Sequence, residues 1–322
     1  MKALLATGIR EPLVYKEVDL PEHDDTFGVV RLKAAALNRR DFWITLGLYP
    51  NLRFPTVLGS DGCGVYEGEE VVINPSINWG SDPRFYTDDY FILGMEEYGT
   101  FAEKVAVRKK NIYPKPAHLT PEQAAALPLA GLTAYRVLFS RCQAGAGDKV
   151  LISGIGGGVA LFACQFALAA GADVYVTSSS EEKIGKALAL GAKGGGNYKD
   201  PDSLKGLQKQ AGGFDVVIDS AGGDGFNQLL KMCNKGARVG VYGGTAGSWN
   251  NVSVPNIFFK QLSIFGSTMG SDAEFGQMLD FVSTHRIVPV VDSVFDLKDG
   301  NQAIQMMKNS LQFGKIVLRI DG

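Results

Sequence analysis

The chain has 322 residues, enough for two domains with separate cores, and its 32 basic and 34 acidic side chains leave a net charge of −2. That balance excludes a large basic face for nucleic acid, and no run of about 18 uninterrupted apolar residues marks a membrane span. The apolar part of the segment Met1 to Thr7 is too short for a secretory signal, so a cytoplasmic protein is expected.

Residues 1–118 read as β-rich. The runs Met1 to Thr7, Leu13 to Val18 and Gly28 to Ala36 are apolar and strand-like, separated by Gly, Pro and acidic residues. Leu37 to Thr45 predicts a short helix ending near Gly47, and Pro50 and Pro55 make Leu48 to Thr56 a loop. Strands are expected around Val65, over Glu70 to Asn74 and over Gly99 to Val107, with an irregular polar and aromatic stretch from Asn74 to Phe91. The pattern changes at Leu119, where Thr120 caps a helix that opens on Pro121, with Gln123 three residues on. A second helix is predicted over Leu132 to Arg141. Strands at Val150–Ser153, Val174–Thr177, Val216–Asp219, Arg238–Tyr242 and Ser263–Gly266 then alternate with helices at Val159–Ala170, Glu181–Leu190, Gly225–Lys231 and Pro255–Phe259, as in a parallel sheet. An amphipathic helix over Asp272 to Thr284, another near Asn301–Lys308 and a closing strand at Lys315–Ile320 complete the chain.

Strand, glycine turn, apolar helix and strand follow one another between Val150 and Thr177, the make-up of a dinucleotide-binding βαβ unit. Gly154, Gly156, Gly157 and Gly158 let the backbone approach a pyrophosphate, and the first N–H groups of the helix, from Val159 on, hold its negative charge. The spacing fits Gly154-x-x-Gly157-x-x-Ala160 better than Gly-x-Gly-x-x-Gly, which needs glycine where Val159 stands. An NAD site places a carboxylate at the end of the second strand; here that end, Thr177 to Ser180, is neutral. A carboxylate about 4 Å from a 2′-phosphate costs on the order of 4 kcal/mol at an effective dielectric near 20. The hydroxyls of Ser178 and Ser179, with Lys183 one turn into the next helix, therefore favour NADPH over NADH. The competing reading stays open: Ser178 or Ser179 caps the helix with Glu181 or Glu182 as partner, and Lys183 is a solvated helix residue. Thr133, Ser220, Gly243, Gly244, Thr245, Ser267 and Met269 fall at strand ends or loops, where such sheets bind ligands.

Cys63, Cys142, Cys164 and Cys233 lie far apart without a Cys-x-x-Cys pair, and His23, His118 and His285 show no metal-ligand spacing, so reduced thiols and no clustered metal site are expected. His118 reads as a surface loop residue.

Taken in order, the stretches 37–41, 47–50, 59–62, 99–103, 126–129, 131–135, the glycine turn and 313–318 resemble the medium-chain dehydrogenase/reductase superfamily over nearly the whole chain. The resemblance implies an α/β protein: a Rossmann doubly wound parallel sheet (119–266) inserted into a GroES-like β-rich catalytic domain (1–118 plus 267–322). It further implies that cofactor and small-molecule substrate meet in the cleft between them, and that the chain forms a homodimer or homotetramer. Tyr198 stands where NADPH-dependent relatives hold the 2′-phosphate. Zinc-dependent members carry Cys at the place of Asn38, Gly-His-Glu near Ser60 and Asp61, and four cysteines in the lobe placed here at Ile77 to Tyr90. Both metal sites look erased, so zinc-polarised alkoxide chemistry is not expected.

The remaining pattern resembles quinone oxidoreductases, with a second likeness to proteins labelled zinc-type alcohol dehydrogenase-like. The segment Tyr66 to Glu70 is shorter than in the family and leaves the local strand pairing open. In this branch Asn38, Asp41, Trp43 and Tyr49 fall in the substrate pocket, the two aromatic rings as flat walls and Tyr49 as a proton donor to a carbonyl oxygen. The alternative is structural: Asn38 caps the short helix, Asp41 pairs with Arg39, Arg40 or a backbone amide, and Trp43 belongs to the core. The expected activity is NADPH-dependent, zinc-independent hydride transfer to a quinone or an activated carbonyl or alkene. The rivals are an alcohol dehydrogenase-type enzyme and a non-catalytic NADPH-binding redox sensor.

Overall fold

In the computed structural model, which describes residues 1–321, the alternating strands and helices of the middle of the chain form a six-stranded parallel sheet. Its order is Gly194–Asn197, Asp173–Ser178, Lys149–Ile152, Phe214–Asp219, Cys233–Val241, Ser263–Gly266. The first strand in sequence lies inside the sheet; the next two build outward on one side and the last three on the other. That reversal makes the sheet doubly wound, with its switch point beside Lys149–Ile152. Val150, Leu151 and Ile152 are fully buried, as expected of a strand covered on both faces. Leu151, Phe214, Val217, Phe226 and Leu230 belong to the core on one side.

Two elements here escape prediction. Three consecutive glycines hide the strand Gly194–Asn197, which forms because Tyr175 to Ser178 offer it a parallel partner in register. Glycine is required at its centre: a Cβ on Gly195 would lie 2.3 Å from the Ile184 side chain. The helix Pro201–Ala211 is capped by the Asp200 carboxylate, opens on proline and ends at Gly212 in the left-handed region (φ 73°). The predicted Leu132–Arg141 helix is in fact an α-helix over Pro128–Tyr135 that continues as a π-helical turn, Arg136–Arg141.

The β-rich unit is built on the long strand Phe27–Ala36, which pairs with Asp61–Tyr66, Lys104–Arg108 and Lys315–Arg319. Glu69–Ile73, Ile112–Pro114 and Val291–Asp296 extend this sheet, the last two without a sequence prediction. A second small sheet joins Val14–Glu17, Lys2–Ala6 and Thr56–Val57. Leu4, Leu32, Ile44, Leu58 and Phe101 fill the core. The short segment at Tyr66 costs no pairing. Tyr66 faces Glu69 across a two-residue turn, and Glu67 and Gly68 both take positive φ (51° and 90°), the geometry that matches strand twist. The predicted strand from Gly99 begins only at Lys104, because the N–H groups of Gly99, Thr100 and Phe101 go instead to the carbonyls of Val57, Gly59 and Leu58 (2.8, 3.0 and 2.9 Å).

The chain divides into Met1–Leu132 with Gly270–Gly322, and Thr133–Met269. The first division falls later than residue 119 because the helix Pro121–Ala125 packs on the strands Phe27–Ala36 and Asp61–Tyr66. The second falls after 266, and the Gly270 carbonyl accepts a bond from Ser76 Oγ (2.6 Å) in the β-rich unit. His118 is tied down by its ring, Nε2 lying 3.0 Å from the Ile287 carbonyl oxygen, rather than lying free in a surface loop. No described helix is long and apolar enough to cross a membrane.

Candidate functional site

In the nucleotide unit the turn after Lys149–Ile152 is pinned to the neighbouring strand by Ile155 N–H to the Thr177 carbonyl (2.8 Å) and Gly154 N–H to Thr177 Oγ1 (3.3 Å). Ser153 Oγ donates to Asp219, whose other oxygen accepts from Gly222 N–H (2.9 Å). Gly154 and Gly156 take φ of 64° and 123°, conformations that L side chains rarely adopt. Gly157 stands before the helix Gly158–Ala169, and no side chain caps that N-terminus. No atom lies within 4 Å of where a Cβ would stand on Gly154 or Gly157. Bare backbone donors at a helix start, with open space above them, fit the diphosphate of a dinucleotide.

Of the other predicted residues, Ser178, Ser179, Tyr198, Ser220, Gly243, Gly244, Thr245, Ser267 and Met269 lie at or just beyond the carboxyl ends of the same strands, whereas Thr133 lies not at a strand end or in a loop but inside the helix Pro128–Tyr135, and Lys183 in the helix Glu181–Ala189. Ser180, not Ser178 or Ser179, caps the helix Glu181–Ala189, its Oγ accepting from Lys183 N–H (3.3 Å). Ser178 is buried and accepts from Ser180 N–H (3.2 Å), while Ser179 is exposed. Glu181 accepts from Asn197 Nδ2 (2.9 Å) and Glu182 pairs with Lys186 (2.7 Å). The Lys183 chain leans across the turn: a Cβ on Gly156 would lie 2.9 Å from its Cδ and 3.4 Å from its Nζ. Tyr198, half exposed, donates its N–H to the Ser178 carbonyl (3.1 Å). The Ser220 carbonyl accepts from Thr245 N–H (3.2 Å) across the neighbouring strand ends, with Gly243 and Gly244 between those residues in the loop. Ser267 N–H donates to the Val241 carbonyl (2.8 Å) and its buried Oγ has no partner. Thr133 Oγ1 lies 3.8 Å from the Met269 sulfur, to which it donates.

In the β-rich unit a cluster of buried polar side chains surrounds Asn38. Asn38 Oδ1 accepts from Lys315 Nζ (2.7 Å), and its Nδ2 donates to Asp61 Oδ2 (2.9 Å). Lys315 Nζ also reaches Asp61 Oδ2 (2.9 Å), and Asp61 Oδ1 accepts from Leu129 N–H (2.8 Å) at the start of the helix Pro128–Tyr135. Asn38 thus occupies the N-cap position of the helix Arg39–Thr45, but its amide serves Asp61 and Lys315. Asp41 Oδ2 accepts from Asn38 N–H (2.7 Å), and its Oδ1 is buried without a hydrogen bond. Burial pushes the Asp41 carboxyl up to about 6, against the pull of the Arg40 guanidinium. Tyr49, half-buried, lies under Arg40, whose Cζ is 5.0 Å from the ring centroid. Arg40 Nη1 donates to Ser60 Oγ (2.7 Å) and the Leu93 carbonyl (2.9 Å). Trp43 is half-buried. Sequence reasoning passed over Lys315 and Arg40, because a lysine opening a strand and an arginine in a short helix both read as solvated.

The donor set here does not fit zinc, which takes Cys, His and carboxylate ligands in a tetrahedron. The Asn38 and Asp61 oxygens are engaged by an ammonium group, and the Ser60 hydroxyl by Arg40 and Leu93. Among the described residues no group of three or more His, Cys, Asp or Glu is arranged to hold a metal ion. The lobe at 77–90 is filled by aromatic rings, fully buried Trp79 meeting Tyr86 and Tyr90 edge-on at 5.8 and 5.5 Å. Burial pushes all four cysteine thiols up to about 12.

A doubly wound sheet with an open glycine turn, in one chain with an antiparallel unit carrying a buried polar cluster, has the make-up of a dinucleotide-binding protein. Residues 26–117 match the alcohol dehydrogenase GroES-like domain and residues 158–284 the zinc-binding dehydrogenase family. The chain is 35% identical over 343 residues to the zinc-type alcohol dehydrogenase-like protein YogA of Leptosphaeria maculans, covering 96% of this chain and 95% of that one. It is 29% identical to the quinone oxidoreductase of Mus musculus, over 90% of this chain and 88% of the relative. Among solved structures, an NAD-dependent alcohol dehydrogenase superposes with a TM-score of 0.93 at 36% identity, over 100% of both chains. The 2-octenoyl-CoA carboxylase reductase CinF, in complex with NADP and 2-octenoyl-CoA, does so with 0.88 at 25% identity, over 99% of this chain and 87% of that one. The chain belongs to the medium-chain dehydrogenase/reductase superfamily and is an oxidoreductase.

Proposed function

We propose that the protein is an NADPH-dependent, zinc-independent oxidoreductase that delivers hydride to a quinone or an α,β-unsaturated carbonyl compound. The observation that carries this reading is the Lys315 ammonium seated between Asn38 Oδ1 and Asp61 Oδ2, at 2.7 and 2.9 Å. A fixed protein cation takes the lone pairs that a metal would need, and oxidation of an alcohol at neutral pH leans on such a metal. An electron-poor acceptor needs only orientation, exclusion of water and a proton.

The amides of the turn from Gly156 to Val159 would hold the diphosphate, and Ser178, Ser179, Lys183 and Tyr198 the 2′-phosphate. When bound, the cofactor supplies the hydride. NADPH is favoured by the neutral strand end, by the Lys183 ammonium beside Gly156 and by the engagement of Glu181 and Glu182 with Asn197 and Lys186. The NADP in CinF points the same way. Asn38 keeps its amide fixed and the Tyr49 hydroxyl gives a proton to the acceptor oxygen. Asp41, locked to Asn38 N–H, holds the start of the helix Arg39–Thr45 against Asn38.

A second copy of the chain is the partner this reading includes. The strand Ser263–Gly266 ends the parallel sheet, and the helix Val254–Lys260 beside it buries no residue and exposes Phe258 and Phe259. Four buried free thiols suit a reducing compartment such as the cytoplasm. An alcohol or aldehyde substrate is the second reading, favoured by the names of YogA and of the NAD-dependent alcohol dehydrogenase.

The test is the dissociation constant for NADPH and NADH by fluorescence quenching, with zinc assayed on the same sample, followed by turnover with a quinone, an enone, an enoyl thioester and an alcohol. NADPH binding tighter by tenfold or more, about 1.4 kcal/mol, is expected. Equal affinities overturn the cofactor assignment, and stoichiometric zinc with alcohol turnover replaces the first reading by the second. Tight NADPH binding without turnover of any acceptor leaves a redox sensor.

A further inference from the structure

Arg40 is 6% exposed, and no carboxylate meets its guanidinium at hydrogen-bond distance; Asp41 Oδ1 is 3.9 Å away. Its terminal nitrogens are anchored on neutral oxygens instead: Ser60 Oγ (2.7 Å), the Leu93 carbonyl (2.9 Å) and, at 3.4 Å, the Ile92 carbonyl. Ser60 is itself fixed by donating to the Leu93 carbonyl (2.8 Å). Nε has no partner at all. A buried cation with an unmatched N–H is a cost to the fold, and an apolar side chain would fill the same space without it. What the arrangement does provide is an anchored cation whose Cζ lies over the ring of Tyr49, 5.0 Å from its centroid.

We propose that Arg40 is a positioning residue for Tyr49: the anchored guanidinium fixes the ring so that its hydroxyl meets the acceptor oxygen. This rests on the reading of Tyr49 as proton donor. As hydride from NADPH reduces the acceptor by two electrons, negative charge collects on the acceptor oxygen. The phenol O–H bond breaks, a new O–H bond forms on that oxygen, and water reprotonates the phenolate. Lysine cannot replace arginine here, because a point charge has neither the planar face nor the fork of donors that reaches Ser60 and Leu93 together.

The experiment compares Arg40→Lys, Ser60→Ala and Tyr49→Phe, singly and with R40K and Y49F combined, in the whole protein. R40K is expected to lower kcat by about tenfold with little change in acceptor KM, and to raise the solvent deuterium isotope effect. Added to Y49F it causes no further loss. Losses that multiply, or a change confined to KM, overturn the proposal, as does wild-type turnover by Y49F. Ser60→Ala, which loosens the same anchor, gives the same pattern more weakly and serves if R40K does not fold. A 3-fluorotyrosine placed at position 49 reports ring placement without turnover: its single 19F resonance should shift or broaden in R40K and S60A. An unchanged resonance rejects the positioning role even if no acceptor is ever turned over, whereas failure of turnover alone rejects the enzymatic reading.

Discussion

At the glycine turn, Gly154, Gly156, Gly157 and Gly158 leave side chains out, whereas around Asn38 a carboxylate, an amide and an ammonium saturate one another. The turn is continuous in sequence and its geometry is local: two positive φ values, an extended residue and a helix start. The cluster joins residues 38, 61 and 315, which have nothing in common until the strands Phe27–Ala36, Asp61–Tyr66 and Lys315–Arg319 pair. A site made of backbone tolerates a change of side chain nearby but not on it. A site made of buried charge fails when any one member is removed.

The contrast breaks most sharply at Lys315. Lys315→Met leaves the wholly buried Asp61 charged and unpaired, with an expected loss of about 3–5 kcal/mol in urea unfolding. Adding Asp61→Asn should recover part of it. Asp41 shows the same cost of buried charge as a pH dependence. Its carboxyl is held well above its usual value of 3.8, at about 6, by burial. The native state therefore favours the protonated form, so Asp41's contribution is complete below about pH 4 and is lost as pH rises through 6. Asp41→Asn should flatten that decline by about 2 kcal/mol, read from unfolding curves between pH 4.5 and 7.5. A decline of equal size in D41N would assign it to another group.

At the turn the expected effects fall on binding. Gly156→Ala forces a side chain into φ 123° and against Lys183, and should weaken NADPH by about 2 kcal/mol while leaving the β-rich unit's unfolding unchanged. Lys183→Gln should weaken NADPH by about 1 kcal/mol and NADH much less, and that difference should shrink as salt is raised. Equal losses for both nucleotides would remove Lys183 from 2′-phosphate recognition.

The same contrast sets what could be read from the sequence. The turn, its helix and the strands on either side were legible because apolar runs, glycines and period are local. The helix Asp272–Thr284 was placed at its observed ends for the same reason, with Ser271 and Glu274 closing a capping box. Gly194–Asn197 was not legible, because its strand character comes from the neighbour that pairs with it. The helix Pro201–Ala211 did carry a signal, Asp200 and Pro201 before Leu204, Leu207 and Ala211, and was overlooked. Around Asn38, it is the family resemblance that names Asn38, Asp41 and Tyr49, and Lys315 gives no local sign of burial.

Lys315 also bears on the order in which the protein is made. Asp61 and its ammonium partner are 254 residues apart. At synthesis rates of about 5–20 residues per second, the aspartate waits on the order of 10 to 50 s for its counter-ion. Throughout that interval the nascent β-rich unit has the strands to pair but not the charge that lets Asp61 be buried ionised. One strand, Lys315–Arg319, brings both the sheet partner of Ala34–Ala36 and the counter-ion of Asp61.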